Sequence, residues 1–519
     1  MEKKSFESMC WILGDQLNIE HPWFSTVDDD RLFVIAELYQ ETAYCTQHVQ
    51  KICAFFLAME NFAEALRTKG HRVKHLSLDE TISFGSLPEL IEAKIVEHSV
   101  STFYFQRPDE FRLLNQFRSL RLPDGVVVKE QDSGHFLFPF SEIEKEFVPG
   151  KSHRMESFYR RMRKRFGILM NGSEPEGGEW NFDKQNREKL SQSDIKHIPK
   201  PLTFSNNAKD VLARLKKHNV KFIGKIPDQL PWPVSRDQAL ELLEFFCSKC
   251  LPNFGRFQDA MATNHDLGWS LYHSRLSFAL NSKMLSPKEV LNSALHSYET
   301  NKSLISIAQI EGFVRQVLGW REFIRALYWI NMPGYKDKNY FKAKRKLPDF
   351  FWTGETKMAC MRRAIEDSLQ YSYSHHIHRL MITGNFCLLT GISPDEVDNW
   401  YLGVYIDGIE WAELPNTRGM SQYADGGIVA SKPYSASGNY IFKMSDYCKN
   451  CRYKVKETAT EEACPFNSLY WRFLEANKDS LAKNPRNALV YSSWYRKKED
   501  EREAILLKAD RLVENIEAL

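Results

Sequence analysis

Between residues 9 and 132, short apolar runs alternate with amphipathic stretches of helical period, and few architectures accept that alternation. The runs at 9–13, 32–37, 72–78, 102–106 and 126–129 have the length and the β-branched or aromatic content of strands. The segments between them have helical spacing, the longest covering 42–69. Strands separated by helices run parallel, with helices over both faces, as in Rossmann-like α/β domains. Ligands of such sheets gather at the carboxyl ends of the strands, here near Gly14, Asp15, Gln16 and residues 37–41. No G-x-G-x-x-G follows the first strand, so a nicotinamide dinucleotide is not expected.

Beyond residue 206 the pattern changes to almost unbroken helical spacing, at 207–218, 236–251, 287–304, 308–330, 360–370, 375–389, 394–405 and 466–478, with a charged helix after 493. Short loops join these segments, which reads as an all-α domain of 205–519 following an α/β domain of 1–132. The intervening 133–204 is rich in Gly, Pro, Ser, Asn and charge and reads as a linker. Between Lys151 and Arg165 it carries seven Lys or Arg, with Phe158, Tyr159 and Phe166 interleaved. Such a block is either a phosphate-binding face or a solvated helix face. The net charge of +3 over 519 residues supplies no long-range field, so any contact with nucleic acid has to be local. No apolar run reaches 18 residues and no secretory leader pattern opens the chain, which reads as soluble and cytoplasmic.

The 10 cysteines of such a chain are thiols or metal ligands before they are disulfides. Cys10, Cys45, Cys53, Cys247 and Cys387 lie in apolar or mixed segments, and the C-x-x-C of Cys247 and Cys250 ends an amphipathic helix with no second pair nearby. Cys448, Cys451 and Cys464 differ, because they sit in a polar, turn-rich loop, and three thiolates need a fourth ligand. The densest set of reactive side chains lies between Ser374 and Gly427. There the adjacent His375 and His376 would point about 100° apart on a helix, so one of them faces a given pocket. That imidazole can exchange a proton near neutrality or simply bond a backbone carbonyl in the core. Ser274 and Ser277 stand one turn apart beside His273 and can hold a pyrophosphate at a helix start. Gln316 and Arg321 follow on the next helix, and a guanidinium there can meet a phosphate or a negative charge developing on a flavin ring.

In combination these segments resemble the photolyase and cryptochrome family. HSRLSF is similar to that family's phosphate-gripping T-S-x-L-S motif, with His273 in place of the Thr, and GWREF resembles its W-R-E-F helix. ILGDQL, MITGNF, WYLGVY, GMSQYADGG and the cysteine loop resemble the iron-sulfur branch of bacterial (6-4) photolyases and cryptochromes, over nearly the whole chain. The resemblance implies FAD in the helical domain, held by His273, Ser274, Ser277, Gln316, Arg321, Asp407 and Glu413, although the family's D-x-D-W-x-x-N pattern is broken here. It implies a [4Fe-4S] cluster on Cys360, Cys448, Cys451 and Cys464, with zinc left open by thiolate chemistry alone. In the sheet domain it implies a 6,7-dimethyl-8-ribityllumazine antenna at Asp15, Gln16, Glu37, Glu41, Tyr44 and Lys51.

The activity implied is light-driven repair of (6-4) photoproducts in UV-damaged DNA. The lesion is flipped out beside a reduced flavin that donates an electron, and His376, with His375 beside it, supplies a proton. HHIHR is similar to the H-H-x-x-R of (6-4) enzymes, but animal members have a further His where this chain has Leu380, so a single-histidine route is implied. Tyr434 and Met420 would line the lesion pocket, Arg160, Arg161, Arg163 and Lys164 would meet DNA, and Trp352, Trp400 and Tyr401 would photoreduce the flavin, each aromatic being also acceptable as core. Asp183 would ligate a divalent cation, Mg2+, near the DNA. Two other readings fit the same residues: a blue-light-sensing cryptochrome with these cofactors, or an iron-sulfur nucleic-acid-binding module of primase type. A monomer is expected.

Overall fold

The computed structural model describes residues 5–225, 229–262 and 267–519. The five strands are Ser8–Ile12, Arg31–Ala36, Arg72–Leu76, Thr102–Gln106 and Val127–Gln131, paired in parallel throughout. Counted along the chain, their order in the sheet is 3-2-1-4-5, so direction reverses between the first and fourth strands. The crevice at that reversal is the natural ligand position of such a sheet. Alternation along the strands divides the core. Cys10, Ile12, Phe33 and Ile35 join a core that runs on through the helical half, whereas Met9, Trp11, Val34 and Phe103 belong to a second core with Leu90, Ile91 and Phe117.

The helix expected over 42–69 is interrupted. Tyr39–Ala43 is a single turn, Gln47–His48 pairs in parallel with Phe222–Ile223, and only then does the helix Val49–Thr68 run. The ring of His48 caps it, accepting from Gln50 N at Nδ1 and donating from Nε2 to Leu369 O at 2.8 Å. Gly224, with φ +79, is required beside it, since a Cβ there would lie 1.9 Å from His48 Nε2.

The segment 133–204 is no loose connector. Its helix Met155–Phe166 drives Phe158, Tyr159 and Met162 into the common core, and Tyr159 OH donates to Glu311 Oε1 at 3.0 Å. In the helical half, the segments 308–330, 375–389 and 410–421 widen into π-helical turns at Arg315–Arg321, His378–Gly384 and Pro415–Ser421. One extra residue per turn rotates the side chains that follow, and such turns collect at functional sites. No helix among the described residues is long and apolar enough to cross a membrane.

Lys51 clasps the two halves. From the helix Val49–Thr68 its buried Nζ donates to Leu402 O and Gly408 O, each at 2.6 Å. The approach is close, since a Cβ on Gly403 would lie 2.1 Å from Thr46 O. Lys51→Met keeps the aliphatic stem but leaves two buried carbonyls without a donor, which should cost about 2–4 kcal/mol. Urea unfolding followed by far-ultraviolet circular dichroism measures this, and an unchanged midpoint would show that the amine is not the clasp.

Candidate active site

Two side chains mark the centre of the site. From Ala308 to Gly319 every residue is buried except Gln316, and from Ser372 to Thr390 His376 is the one strongly exposed residue. A polar group reached by water within a stretch otherwise packed into the core marks a candidate recess. Arg379 ties the walls together. Its Nη2 donates to Asp407 Oδ1 at 2.9 Å, Nη1 to Glu413 Oε1 at 3.0 Å and Nε to Ser374 O at 2.7 Å, and the guanidinium lies 3.7 Å from the Tyr405 ring centre. Burial works against its charge, but Asp407 and Glu413 outweigh that and its pKa is raised. Burial also raises Glu413, against the pull of Arg379.

The helix Ser277–Asn281 joins these walls to the next. Asn281 Nδ2 donates to Asp407 O at 2.9 Å, and Arg321 Nη2 lies 3.5 Å from Leu280 O and 2.9 Å from His135 Nε2. The Arg321 guanidinium faces the rings of Phe136 at 4.4 Å and Trp411 at 5.0 Å, and burial pushes its pKa down to about 10. Ser274 Oγ accepts from Leu276 N at 3.4 Å in the approach to this helix.

Three imidazoles stack beneath the recess. His273 lies on His375 with ring centres 4.4 Å apart and planes 11° apart, His375 lies 4.1 Å from His378, and His378 Nε2 is 2.6 Å from Tyr447 OH. Burial holds all three neutral, lowering His273 to about 4, His378 to about 3 and His375 well below the ordinary range. His376 is lowered as well, by the enclosing protein and then by Arg379, though water reaches this ring and relieves part of that effect. Both ring nitrogens of His375, His273 Nε2, Ser374 Oγ and Trp411 Nε1 are buried with no hydrogen-bond partner among the described residues. A polar ligand in the recess is the kind of group that satisfies such atoms.

Cys360, from the helix Ala359–Tyr371, lines one cavity with Cys448, Cys451 and Cys464. Gly438 leaves room there, since a Cβ on it would lie 2.7 Å from Cys464 Sγ. Burial and the three neighbouring thiols raise the Cys360 pKa well above its usual value. Among the described residues no group of three or more His, Cys, Asp or Glu is arranged to hold a metal ion. The thiols surround a shared space without meeting at a point.

At the crevice where the sheet order reverses, Lys283 enters from the helical half. Its Nζ is 2.7 Å from Asp109 Oδ2 and 3.2 Å from Asp15 Oδ2. Gln16 accepts from Leu13 N and donates to Gln106 O at 3.2 Å. Glu37 is fully buried against Arg214 Nη2 at 2.7 Å and Leu78 N at 2.8 Å, and Glu41 takes both terminal nitrogens of Arg112, whose guanidinium lies 4.4 Å from the Tyr44 ring centre. Glu37, Glu41 and Lys51 are therefore committed to protein partners.

In the basic block one residue is corrected, Arg163, while Arg160, Arg161 and Lys164 stay exposed. Arg163 is fully buried and donates to Ile168 O at 3.2 Å, Trp180 O at 3.3 Å and Leu169 O, so it cannot face DNA. Arg160 pairs with Glu156, Arg161 with Glu146 and Arg165 with Glu142, and Lys164 Nζ lies 5.4 Å from the Trp180 ring centre. Asp183 faces two guanidinium groups, Arg187 at 2.5 Å and Arg315 at 3.4 Å. Tyr434 is exposed and Met420 buried. Trp352 is exposed, Trp400 Nε1 donates to Phe351 O at 3.1 Å, the Trp400 and Tyr401 ring centres are 5.4 Å apart, and Tyr401 OH donates to Arg379 O at 2.6 Å. Arg379 is present in HHIHR, but its role as the knot of the site is visible only in three dimensions. Asn281, Lys283 and His378 carry no sequence signal of their own.

Comparisons with known proteins concern nearly the whole chain. The family model of deoxyribodipyrimidine photo-lyase-related proteins matches residues 10–230. A (6-4) photolyase of Agrobacterium fabrum is 40% identical over 501 residues, spanning 96% of this chain and 97% of that protein. A bacterial class III photolyase from Agrobacterium tumefaciens superposes with a TM-score of 0.59 at 15% identity, over 92% of this chain and 98% of that one. The Synechocystis cryptochrome superposes with a TM-score of 0.54 at 13% identity, over 86% and 89%. At such identities the two structures report on the fold alone.

The imidazole stack gives the site a pH signature. His273, His375 and His378 stay neutral in the folded protein but take up protons near pH 6.5 once unfolded. Below pH 6.5 the unfolded chain binds more protons, so stability falls on acidification, starting near 6.5 and continuing through 4, where His273 titrates in place. A shift of that size is worth on the order of 3 kcal/mol for a buried ring. The urea midpoint should drop between pH 7 and 4.5, and less steeply in His273→Phe, which keeps the stack without the proton. Equal slopes would refute the assignment.

Proposed function

Since the chain belongs to the photolyase and cryptochrome family, within the branch of the bacterial (6-4) photolyases, we propose that it is a flavin-dependent enzyme that repairs (6-4) photoproducts in ultraviolet-damaged DNA under light. The observation that carries this reading is His376, open to water at the start of a buried helix whose Arg379 is held by Asp407 and Glu413. A primase-type module has no support beside a relative that spans the whole chain.

FAD would be held by Ser274, Ser277, Gln316 and Arg321, with Asp407 and Glu413 near its ring and His273 supporting from below; bound there, it supplies an electron under light. The donor set fits, because buried polar atoms border the recess without partners and Arg321 offers a cation to a phosphate or an electron-rich ring. Arg379 holds both the Asp407 and the Glu413 carboxyl groups in place beside the ring. His376 stands where a flipped base would enter and can pass a proton to it from a ring nitrogen, with His375 fixing its backbone from the stack. Leu380 is buried, so no second imidazole stands one turn on and His376 acts alone. Tyr434 offers a stacking face at the mouth and Met420 an adaptable apolar wall. Trp352, Trp400 and Tyr401 form the route by which an electron enters from the surface.

Cys360, Cys448, Cys451 and Cys464 would hold a [4Fe-4S] cluster, which suits thiols spaced round a shared cavity better than one zinc ion does, since zinc needs four sulfurs about 2.3 Å from a single point. Its work here is to clip the loop 448–464 to the helix Ala359–Tyr371. The ribityllumazine antenna would sit at the sheet's reversal point, against Asp15, Gln16 and Tyr44, with Glu37, Glu41 and Lys51 bracing the crevice from behind. Asp183, already facing two guanidinium groups, is poorly placed to take Mg2+.

Purified protein irradiated with an oligonucleotide carrying a defined (6-4) lesion should restore the two pyrimidines. His376→Ala should lower the yield by about 100-fold or more while flavin photoreduction proceeds as before. An intact lesion beside fully reduced flavin in the unsubstituted protein would refute the enzyme and favour a light sensor. Iron and acid-labile sulfide assayed on the same sample should both be present, and zinc without sulfide would overturn the cluster.

A further inference from the structure

The helix that begins at His376 ends at a groove of about 520 Å³, bordered by Leu388, Leu389 and Gly391. Twelve residues separate His376 from Leu388, roughly 18 Å along a helix. Four cations line this groove, Lys342, Lys344, Arg345 and Arg472, and no Asp or Glu does. Among the described residues Lys342, Lys344 and Arg345 form no ion pair, and Arg472 forms one, from Nε to Asp510 at 2.6 Å. On the basic helix Met155–Phe166, by contrast, Arg160, Arg161 and Arg165 are paired with Glu156, Glu146 and Glu142. A cation already neutralised by a carboxylate gains little from a phosphate, whereas an unpaired one gains the full contact and releases counterions.

The groove is also built to hold its charges still. Arg345 N donates to Gly391 O at 3.1 Å, Ser393 N donates to Arg345 O at 2.8 Å, and Arg345 Nη1 donates to Thr390 O at 3.0 Å. Gly391 has φ +73, and a Cβ on it would lie 3.2 Å from Arg345 Nη1, so the glycine lets the guanidinium lie against the helix end. Burial and then the neighbouring Arg472 push the Arg345 pKa down, against a smaller opposing pull from Asp510. Phe341 supplies an apolar face beside them. The inner wall continues into the segment of Met420 through Gln422, whose Nε2 donates to Gly384 O at 3.0 Å on the His376 helix.

Resting on the repair reading, we propose that this groove grips a backbone phosphate of the damaged strand through Lys342, Lys344, Arg345 and Arg472, with the neighbouring sugar or base against Phe341. At 3.4 Å per stacked nucleotide, the separation from His376 places the contact within about five nucleotides of the flipped lesion.

Binding is measured for the holoenzyme with a (6-4) lesion in a long duplex and with the lesion dinucleotide alone, across a salt series. Arg345→Gln/Arg472→Gln should bind the duplex about tenfold less tightly, with the slope of log K against log salt reduced by about one to two, and should bind the dinucleotide as before. Lys342→Gln/Lys344→Gln, which removes no internal ion pair, should move the slope the same way and guards against a folding defect. Unchanged slopes in both variants would overturn the groove and leave the repair reading intact. Failure of the unsubstituted protein to prefer lesion DNA would overturn the repair reading, and the groove assignment with it. Competition by free dAMP as strong as by the duplex would make this a small-nucleotide site and overturn the strand contact.

Discussion

Arg379 is the side chain on which the candidate site depends. A guanidinium removed from water needs carboxylates, and breaking such a pair from one side typically costs about 3–5 kcal/mol. The two it uses, Asp407 and Glu413, lie on a different stretch of chain from its own helix, so the ion pairs hold the helix 376–390 against the 407–413 segment. Asn281 then fastens the Ser277–Asn281 helix to the Asp407 carbonyl, and Tyr401 bonds the Arg379 carbonyl. Four segments are thus fixed around one charge, and the π-helical turn His378–Gly384 sets the rotation at which that charge leaves its helix. The uneven ratio of acid to base matters chemically. Two carboxylates share one cation in a buried setting, and burial raises Glu413 against the pull of Arg379.

The same sorting of charge runs through the whole molecule. At the sheet end Lys283 lies between Asp15 and Asp109, Arg214 closes on Glu37 and Arg112 on Glu41. These pairs make the junction between sheet and helices rigid, and Lys51 completes it with two carbonyls of the helical half. A ligand at the reversal point therefore meets a wall whose polar groups are already oriented, which is the condition for precise placement. The groove of Lys342, Lys344, Arg345 and Arg472 differs from these junctions in that its lining holds four cations and no Asp or Glu.

The three central strands are legible in the sequence because a buried parallel strand is largely apolar, and Thr102–Gln106 emerges with the bounds its residues suggest, whereas the edge strands Arg72–Leu76 and Val127–Gln131 are mostly polar or exposed. The break within 42–69 is not legible, because Gln47 and His48 become extended through pairing with Phe222 and Ile223, a partner no local window contains. The basic block shows the same limit. Arg163 lies four residues after Tyr159 and so shares its buried face, which helical period alone states, but its three carbonyl acceptors come from the turn that follows and from Trp180. Cys360 could be matched to its three partners through the family resemblance, whereas Lys283 could not be matched to Asp15, since nothing in a lysine beside a serine marks it as a crevice group.

One helix, finally, joins functions that the sequence presents separately. Its first turn carries His376 toward the recess, and the next residues send His378 the other way, onto Tyr447 beside Cys448. Its last turn ends at Gly391 against Arg345. A rigid rod of this kind transmits position. Moving the cysteine loop would displace Tyr447 and with it the base of the imidazole stack, and a phosphate held at the far end, as proposed, would set the reach of His376 along the strand. In the proposed enzyme the thiol cavity would then act without any change of charge: by fixing Tyr447 it would fix His378 and His375, and so the setting of His376 beside them.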